Sequence, residues 1–244
     1  MDTIKSTDQP APSNQLIIVT HAVLAGLTPL IPIPLIDDLI LNYFRRRMVR
    51  SVAAVHGQTL PAHVTQALTA TEDQGWMWGC LTAAVIYPLK AIFRKIFFIL
   101  EWKRVVDLTS RTYHDGFLLN EAFVQGWIGP EAPFLPAQVN AAILDVCRTA
   151  PIKPIETAVR VAFRQSRGAL VGGARTLERQ FRRLRSRPDE DQVATAVEAV
   201  EPAEEQELAG VIAGVQREID QVSGGHFQWL RSELARRLSI PEGQ

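Results

Sequence analysis

The sequence predicts an all-α protein: an irregular bundle of seven or eight helices, opened by a proline-linked hairpin and closed by an amphipathic helical tail. Three observations carry this. Apolar residues recur at helical spacing along most of the chain. No stretch alternates apolar and polar residues between hairpin turns, which is what strands require. Prolines other than Pro88 fall at the ends of the periodic segments, and Gly57 and Gly129 stop two of them. With 244 residues and 47% hydrophobic side chains the chain is long enough to bury a real core.

The elements follow in order. Residues 1–15 are polar, hold Pro10 and Pro12, and are expected to be disordered. They lack the basic lead-in of a secretory signal, and Cys80 and Cys147 are isolated, so reduced thiols in the cytoplasm are expected. A first helix is expected over about 15–28. Pro29, Pro32 and Pro34 cut the charge-free run 16–36, since each removes a backbone donor and clashes with the preceding turn. A second helix then runs about 34–56 and stops at Gly57. Pro61 opens a short helix to about Ala70, and 76–125 reads as one long or twice-bent helix, interrupted near Pro88 and ending before Gly129-Pro130. Pro136 starts another, and Pro151 and Pro154 lead into a helix over about 155–186.

That helix is the most strongly patterned piece. Phe163, Leu170, Leu177 and Leu184 recur every seven residues, with Ala174 and Phe181 beside them, as in a coiled-coil seam or a helix lying on a surface. From Arg148 to Arg187 there are eleven Lys/Arg against Glu156 and Glu178. From Pro188 to Glu207 there are eight Asp/Glu and no basic residue. The chain therefore divides into a helical domain 16–187, an acidic linker 188–207 and a tail 208–244, the tail broken at Gly224-Gly225. Gly168-x-x-x-Gly172 and Gly210-x-x-x-Gly214 match the close-packing pattern of helix pairs.

Chemistry is sparse. There is no G-x-S-x-G, phosphate-binding loop or dinucleotide fingerprint. His56 and His63 are separated by Gly57 and Pro61, so no helical face holds them as a metal pair. No catalytic, cofactor-binding or metal-ligating residue is singled out, and the reading leans away from an enzyme. Asp37 and Asp38 sit in the first turns of an apolar helix, where the macrodipole favours negative charge. Tyr113-His114-Asp115-Gly116 reads as a polar joint at a helix bend. Neighbours on a helix point about 100° apart, so these three cannot serve one another. Asp37, Asp38, Tyr113 and His114 are nevertheless the candidates for a polar pocket.

The candidate contact residues are basic and aromatic. Arg45, Arg46, Arg47 and Arg50 crowd the second helix. Trp76 and Trp78, with Lys90, Arg94 and Lys95, mark a segment 76–102 bounded by aromatics as at a membrane interface, though its charges oppose a simple span. Arg175, Arg179, Arg182 and Arg183 belong to the basic helix, which suits an anionic membrane surface. Aromatic interleaving is poor there and no nucleic-acid partner is expected. The acidic linker folding back over the basic helix is the competing expectation.

The run Ala25-Gly26-Leu27-Thr28-Pro29-Leu30-Ile31-Pro32-Ile33-Pro34-Leu35-Ile36-Asp37, followed by Arg47-Met48-Val49 and Ala53-Ala54-Val55-His56-Gly57, resembles the proline-rich helical hairpin of the EcsC family and of YcjF-like domains. The resemblance covers residues 25–57 only, and His56 stands where those families usually have Tyr. It implies an all-helical, membrane-proximal module of bacterial type and supplies no catalytic role. YcjF-like domains often accompany GTPases, so the resemblance also implies a separate GTPase as a partner.

The functional expectation is a non-catalytic cytoplasmic protein, peripheral on the inner membrane, that serves as an interaction module. Alternatives are a soluble adaptor binding a protein through the C-terminal helix, or a lipid- or small-molecule-binding protein. The first predicts an exposed apolar patch beside Arg45–Arg50 or Arg160–Arg187, the second an apolar patch on the C-terminal helix, the third an enclosed pocket with Asp37 or His114 turned into it.

Overall fold

Proline decides where most of these helices begin. Its fixed φ suits the first turn, and the N–H it lacks has no partner there. In the computed structural model, which describes residues 12–30, 37–70, 94–181, 191–193, 195 and 202–239, prolines stand in or just before the first turn of five helices. The order is α1 (Pro12–Leu27), a 3-10 turn (Thr28–Leu30), α2 (Asp37–Val55), α3 (Ala62–Thr69), α4 (Arg94–Val124), α5 (Pro136–Thr149), α6 (Lys153–Gln165), α7 (Arg167–Phe181), α8 (Pro202–Ile219) and α9 (Gly224–Leu238). The architecture is all-α, and no strand occurs among the described residues.

Glycine ends two of the helices that build the centre. Gly57 and Gly126 take φ of 69° and 70°, a left-handed conformation that costs glycine little. After each, the chain turns back: Gln58 N–H donates to the Ala53 carbonyl at 2.9 Å, and Trp127 N–H to that of Ala122 at 2.8 Å. These are matching Schellman closures of α2 and α4. The two turns meet, Gln58 Nε2 donating to the Ile128 carbonyl at 3.3 Å.

The long helix α4 is the axis. It packs against α1, α2, α5, α6 and α9, and buries Val105, Val106, Tyr113, Phe117, Leu118 and Phe123. Because α4 is covered from several sides, its polar residues are buried too, among them Thr109, Ser110, Thr112, Asn120 and Glu121. Thr109 and Ser110 spend their hydroxyls on the carbonyls four residues back, at 2.8 and 2.7 Å, which satisfies them within the helix.

Several expectations change. The Tyr113–Gly116 joint does not interrupt α4, which is continuous through it, and Gly116 is buried where a Cβ would meet Ile18 and Met48. The helix expected over 155–186 is two, broken at Ser166. Its seam residues Phe163, Leu170 and Ala174 are core residues rather than a surface stripe. The acidic linker ends earlier than expected, since α8 already begins at Pro202, and Val193 is buried. Nor is the C-terminal region an appendage. α8 packs on α6, α7 and α1, α9 packs on α5 and α4, and Leu208, Val211, Val215, Phe227, Leu230 and Leu234 join the same core.

The hairpin is core as well. Ser13–Leu30 is the one stretch among the described residues long and apolar enough to cross a membrane, and 67% of it is buried inside the protein. In each glycine pair one member faces open space: a Cβ on Gly168 or Gly210 meets nothing within 4 Å, whereas one on Gly214 would touch Ala162 at 3.9 Å. Close approaches lie at Gly173, against Leu208, at Gly26, against Thr109, and at Gly116, against Ile18 and Met48.

Candidate functional site

Two features remain once the apolar core is accounted for: a basic face on α6 and α7, and a buried polar seam along α4.

The basic face follows from α6's pattern. Ile155, Ala158, Val159, Ala162 and Phe163 are buried, which turns Lys153, Thr157, Arg160 and Arg164 outward. Past Ser166 the exposed series continues with Arg167, Arg175 and Arg179. Among the described side chains of 153–181, every exposed charged residue is basic. The two carboxylates are half-buried, and Glu156 is held by Arg160 one turn on. Arg167 also lies over the Trp102 ring, 5.8 Å from its centroid, and Trp102 in turn meets Phe163 edge-on.

The expected contact residues separate. Arg175 and Arg179 are exposed on this face. The four arginines of α2 are not one cluster: Arg50 is exposed, Arg47 donates to the Tyr43 hydroxyl at 3.0 Å, and Arg45 turns inward toward Asp115. Trp76, Trp78, Lys90, Arg182 and Arg183 lie outside the described residues, as do the side chains of Arg94, Lys95, Asp37 and Asp38.

In the seam, Tyr113, His114 and Asp115 diverge as their spacing requires, His114 and Asp115 each to a different partner. Tyr113 is buried near Gln15 and Asp220, and burial pushes its phenol well above the ordinary value. His114 meets His226 of α9, Nε2 to Nε2 at 3.1 Å. Asp115 accepts a hydrogen bond from Cys147 Sγ at 3.0 Å. Burial raises the Asp115 carboxyl although Arg45 and Arg111 pull it down, and burial and Asp115 together raise the Cys147 thiol well above its usual value. A thiol so placed stays protonated and unreactive.

Arg45, Asp115 and Asn140 share a cavity with Met48, Val49, Leu119 and Ile143. Its volume of about 40 Å³ holds two or three waters, far below the roughly 300–1,000 Å³ of small-molecule sites. His114 does not line it.

Nearer the Schellman turns, Asn14 Nδ2 and His56 Nε2 both donate to Asn120 Oδ1, at 2.8 and 3.0 Å, and His56 stacks on Phe123. Glu121 is buried and accepts from Arg231 Nε at 2.8 Å and from Gln125 at 2.7 Å. Asn14, Gln15, Asn120 and Arg231 were not singled out from the sequence. The one signal was a polar pair at the start of an otherwise apolar helix, Asn14-Gln15, and another inside α4, Asn120-Glu121.

Glu121 gives a direct prediction. Arg231→Ala strands a buried carboxylate and is expected to cost about 2–3 kcal/mol, short of the range for fully buried pairs because Arg231 is 27% exposed. Adding Glu121→Gln should restore most of that loss. Urea midpoints of the single and double variants measure it.

Among the described residues no group of three or more His, Cys, Asp or Glu side chains could hold a metal ion. The seam's side chains are largely spent on one another, an arrangement that fixes helix positions. The surface arginines, by contrast, face outward. No family model matches the chain, and comparisons with curated proteins and with solved structures find no match either.

Proposed function

We propose that this chain is a non-catalytic helical module that docks peripherally on an anionic membrane surface through the basic face of α6 and α7, at the cytoplasmic side of a bacterial inner membrane. The observation that carries the reading is that every exposed charged side chain described over 153–181 is basic. Such a face is drawn to anionic lipid by about 1 kcal/mol per Lys or Arg near the surface. Burial of α1 argues for docking by charge rather than by insertion of the hairpin. The likeness of 25–57 to membrane-proximal hairpins points the same way and leaves a separate GTPase as a partner to test.

Flotation with liposomes tests it. The protein should float with phosphatidylserine-containing vesicles and not with pure phosphatidylcholine, and high salt should release it. Replacing Arg160, Arg164, Arg175 and Arg179 together by Glu should weaken binding roughly a thousand-fold at about 1 kcal/mol each, with the circular dichroism and melting profile kept. Salt-resistant flotation, equal binding to neutral vesicles or an unaffected quadruple variant would each overturn the reading. If only acidic proteins bind, the face is an adaptor surface instead.

A further inference from the structure

Two imidazoles meet head to head inside the protein, where α9 lies on α4. His114 Nδ1 is 2.7 Å from the Ser110 carbonyl, so that nitrogen carries the proton and His114 Nε2 is an acceptor. His226 Nε2, 3.1 Å away, must then be the N–H donor, and its Nδ1 is bare. The rings are 2% and 8% exposed. One further proton fits on His226 Nδ1 with the N–H···N contact kept. A second would set two N–H groups against each other at 3.1 Å. In water both imidazoles charge once the pH falls below about 6.5.

We infer that α9 is an acid-released element: proton uptake by the His114–His226 pair undocks Gly224–Leu238 from α4 and α5 and bares Phe227, Leu230, Leu234 and Leu238. The charges facing this interface are few. On α4 these are Glu121, tied to Arg231, and Tyr113, a titratable phenol that stays neutral. On α5, Asp145 accepts from Arg237 Nε at 2.5 Å. On α9 itself Glu233 is bound by Arg236 and Arg237, and Asp220 at the preceding turn is bound by Gln15. The arginines hold Asp145 below its ordinary value and Glu233 at about 2, so these ion pairs stay charged while the histidines titrate. Burial lowers both histidines, His114 to about 4. The docked state is thus fully favoured above about pH 6.5 and loses ground as pH falls toward 4, about ten-fold per unit for each proton taken up on release.

Hydrogen exchange of the full chain, corrected for intrinsic rates and read at about pH 7 and about pH 5, tests this. Peptides of α9 should lose protection at least ten-fold while those of α1 and α4 keep theirs. His226→Gln, whose amide still donates to His114 but which leaves only His114 to titrate, should make α9 lose less protection at the lower pH than the parent does. His114→Gln, read the same way, takes its place if that variant does not fold. Unchanged α9 protection, loss from all helices together, or a glutamine variant that opens as readily as the parent would each overturn the inference.

Discussion

Gly26→Leu should cost the protein about 3 kcal/mol or more, and at the upper end prevent folding. A Cβ at position 26 would lie 1.8 Å from Thr109 Oγ1, 3.0 Å from Thr109 Cβ and 3.2 Å from the Val105 carbonyl oxygen. Rotating the threonine does not clear it, because Cβ and the backbone oxygen are fixed to α4. Thr109 Oγ1 would also lose its bond to Val105 O. The helices must therefore part along the most extensive helix–helix contact among the described residues, where Ala22, Val23, Val105 and Val106 are buried. Overpacking costs typically 1–3 kcal/mol even for small additions, more than the roughly 1 kcal/mol that leaving glycine gains in helix propensity. Gly210→Ala is the control of opposite sign. Nothing lies within 4 Å of its Cβ, so the variant should gain about 0.5–1 kcal/mol. Urea midpoints of both variants decide the matter.

That contrast shows what was legible in the sequence. Gly26 lies inside the first expected helix with no glycine spacing to mark it, while Gly168, Gly172, Gly210 and Gly214 carry the spacing of a packing motif. Spacing alone places glycines on a helix face without saying whether another helix lies there, and for Gly168 and Gly210 none does. Helix boundaries were easier, because proline and glycine act locally: Gly57 and Pro136 fall where expected, and the break expected at Gly224-Gly225 lies just before it, at 220–223. The break at Ser166 was hidden for a local reason too. Ser166 N–H bonds the Ala162 carbonyl at 3.1 Å and its own carbonyl accepts from Leu170 at 3.0 Å, so the hydrogen-bond pattern and the apolar period run almost undisturbed through it.

The candidate site divides in the same way. That Tyr113, His114 and Asp115 cannot serve one another followed from helix geometry. Their partners did not, since His226 lies 112 residues away and Cys147 lies 32 away on another helix. Arginines told less than their number suggested: Arg45, Arg47 and Arg50 point three ways on α2, whereas the outward series on α6 is set by the buried residues opposite it. The apolar tail was read correctly as amphipathic, but an apolar stripe looks the same whether it waits for a partner or already lies on its own core.

Phe163→Ala should destabilise the protein by about 3–5 kcal/mol, a large share of the 5–15 kcal/mol available to a typical domain. Phe163 is fully buried on the inner face of α6, edge-on to Trp102 with ring centroids 6.1 Å apart. Its loss leaves a cavity beside α4 that alanine cannot fill and that rigid neighbours close only in part. Phe163→Leu keeps most of the volume and should cost less than about 1.5 kcal/mol. Chemical denaturation, with an unchanged slope and a lowered midpoint, reads both. One turn back, past the edge of the buried face, Arg160 is exposed and paired with Glu156, and Arg160→Glu should cost no more than about 1 kcal/mol while weakening attachment to anionic vesicles. The two faces of one helix thus make separable demands. If Arg160→Glu lowered stability as much as Phe163→Ala, the outward arginines would be part of the fold and the docking surface would have to lie elsewhere.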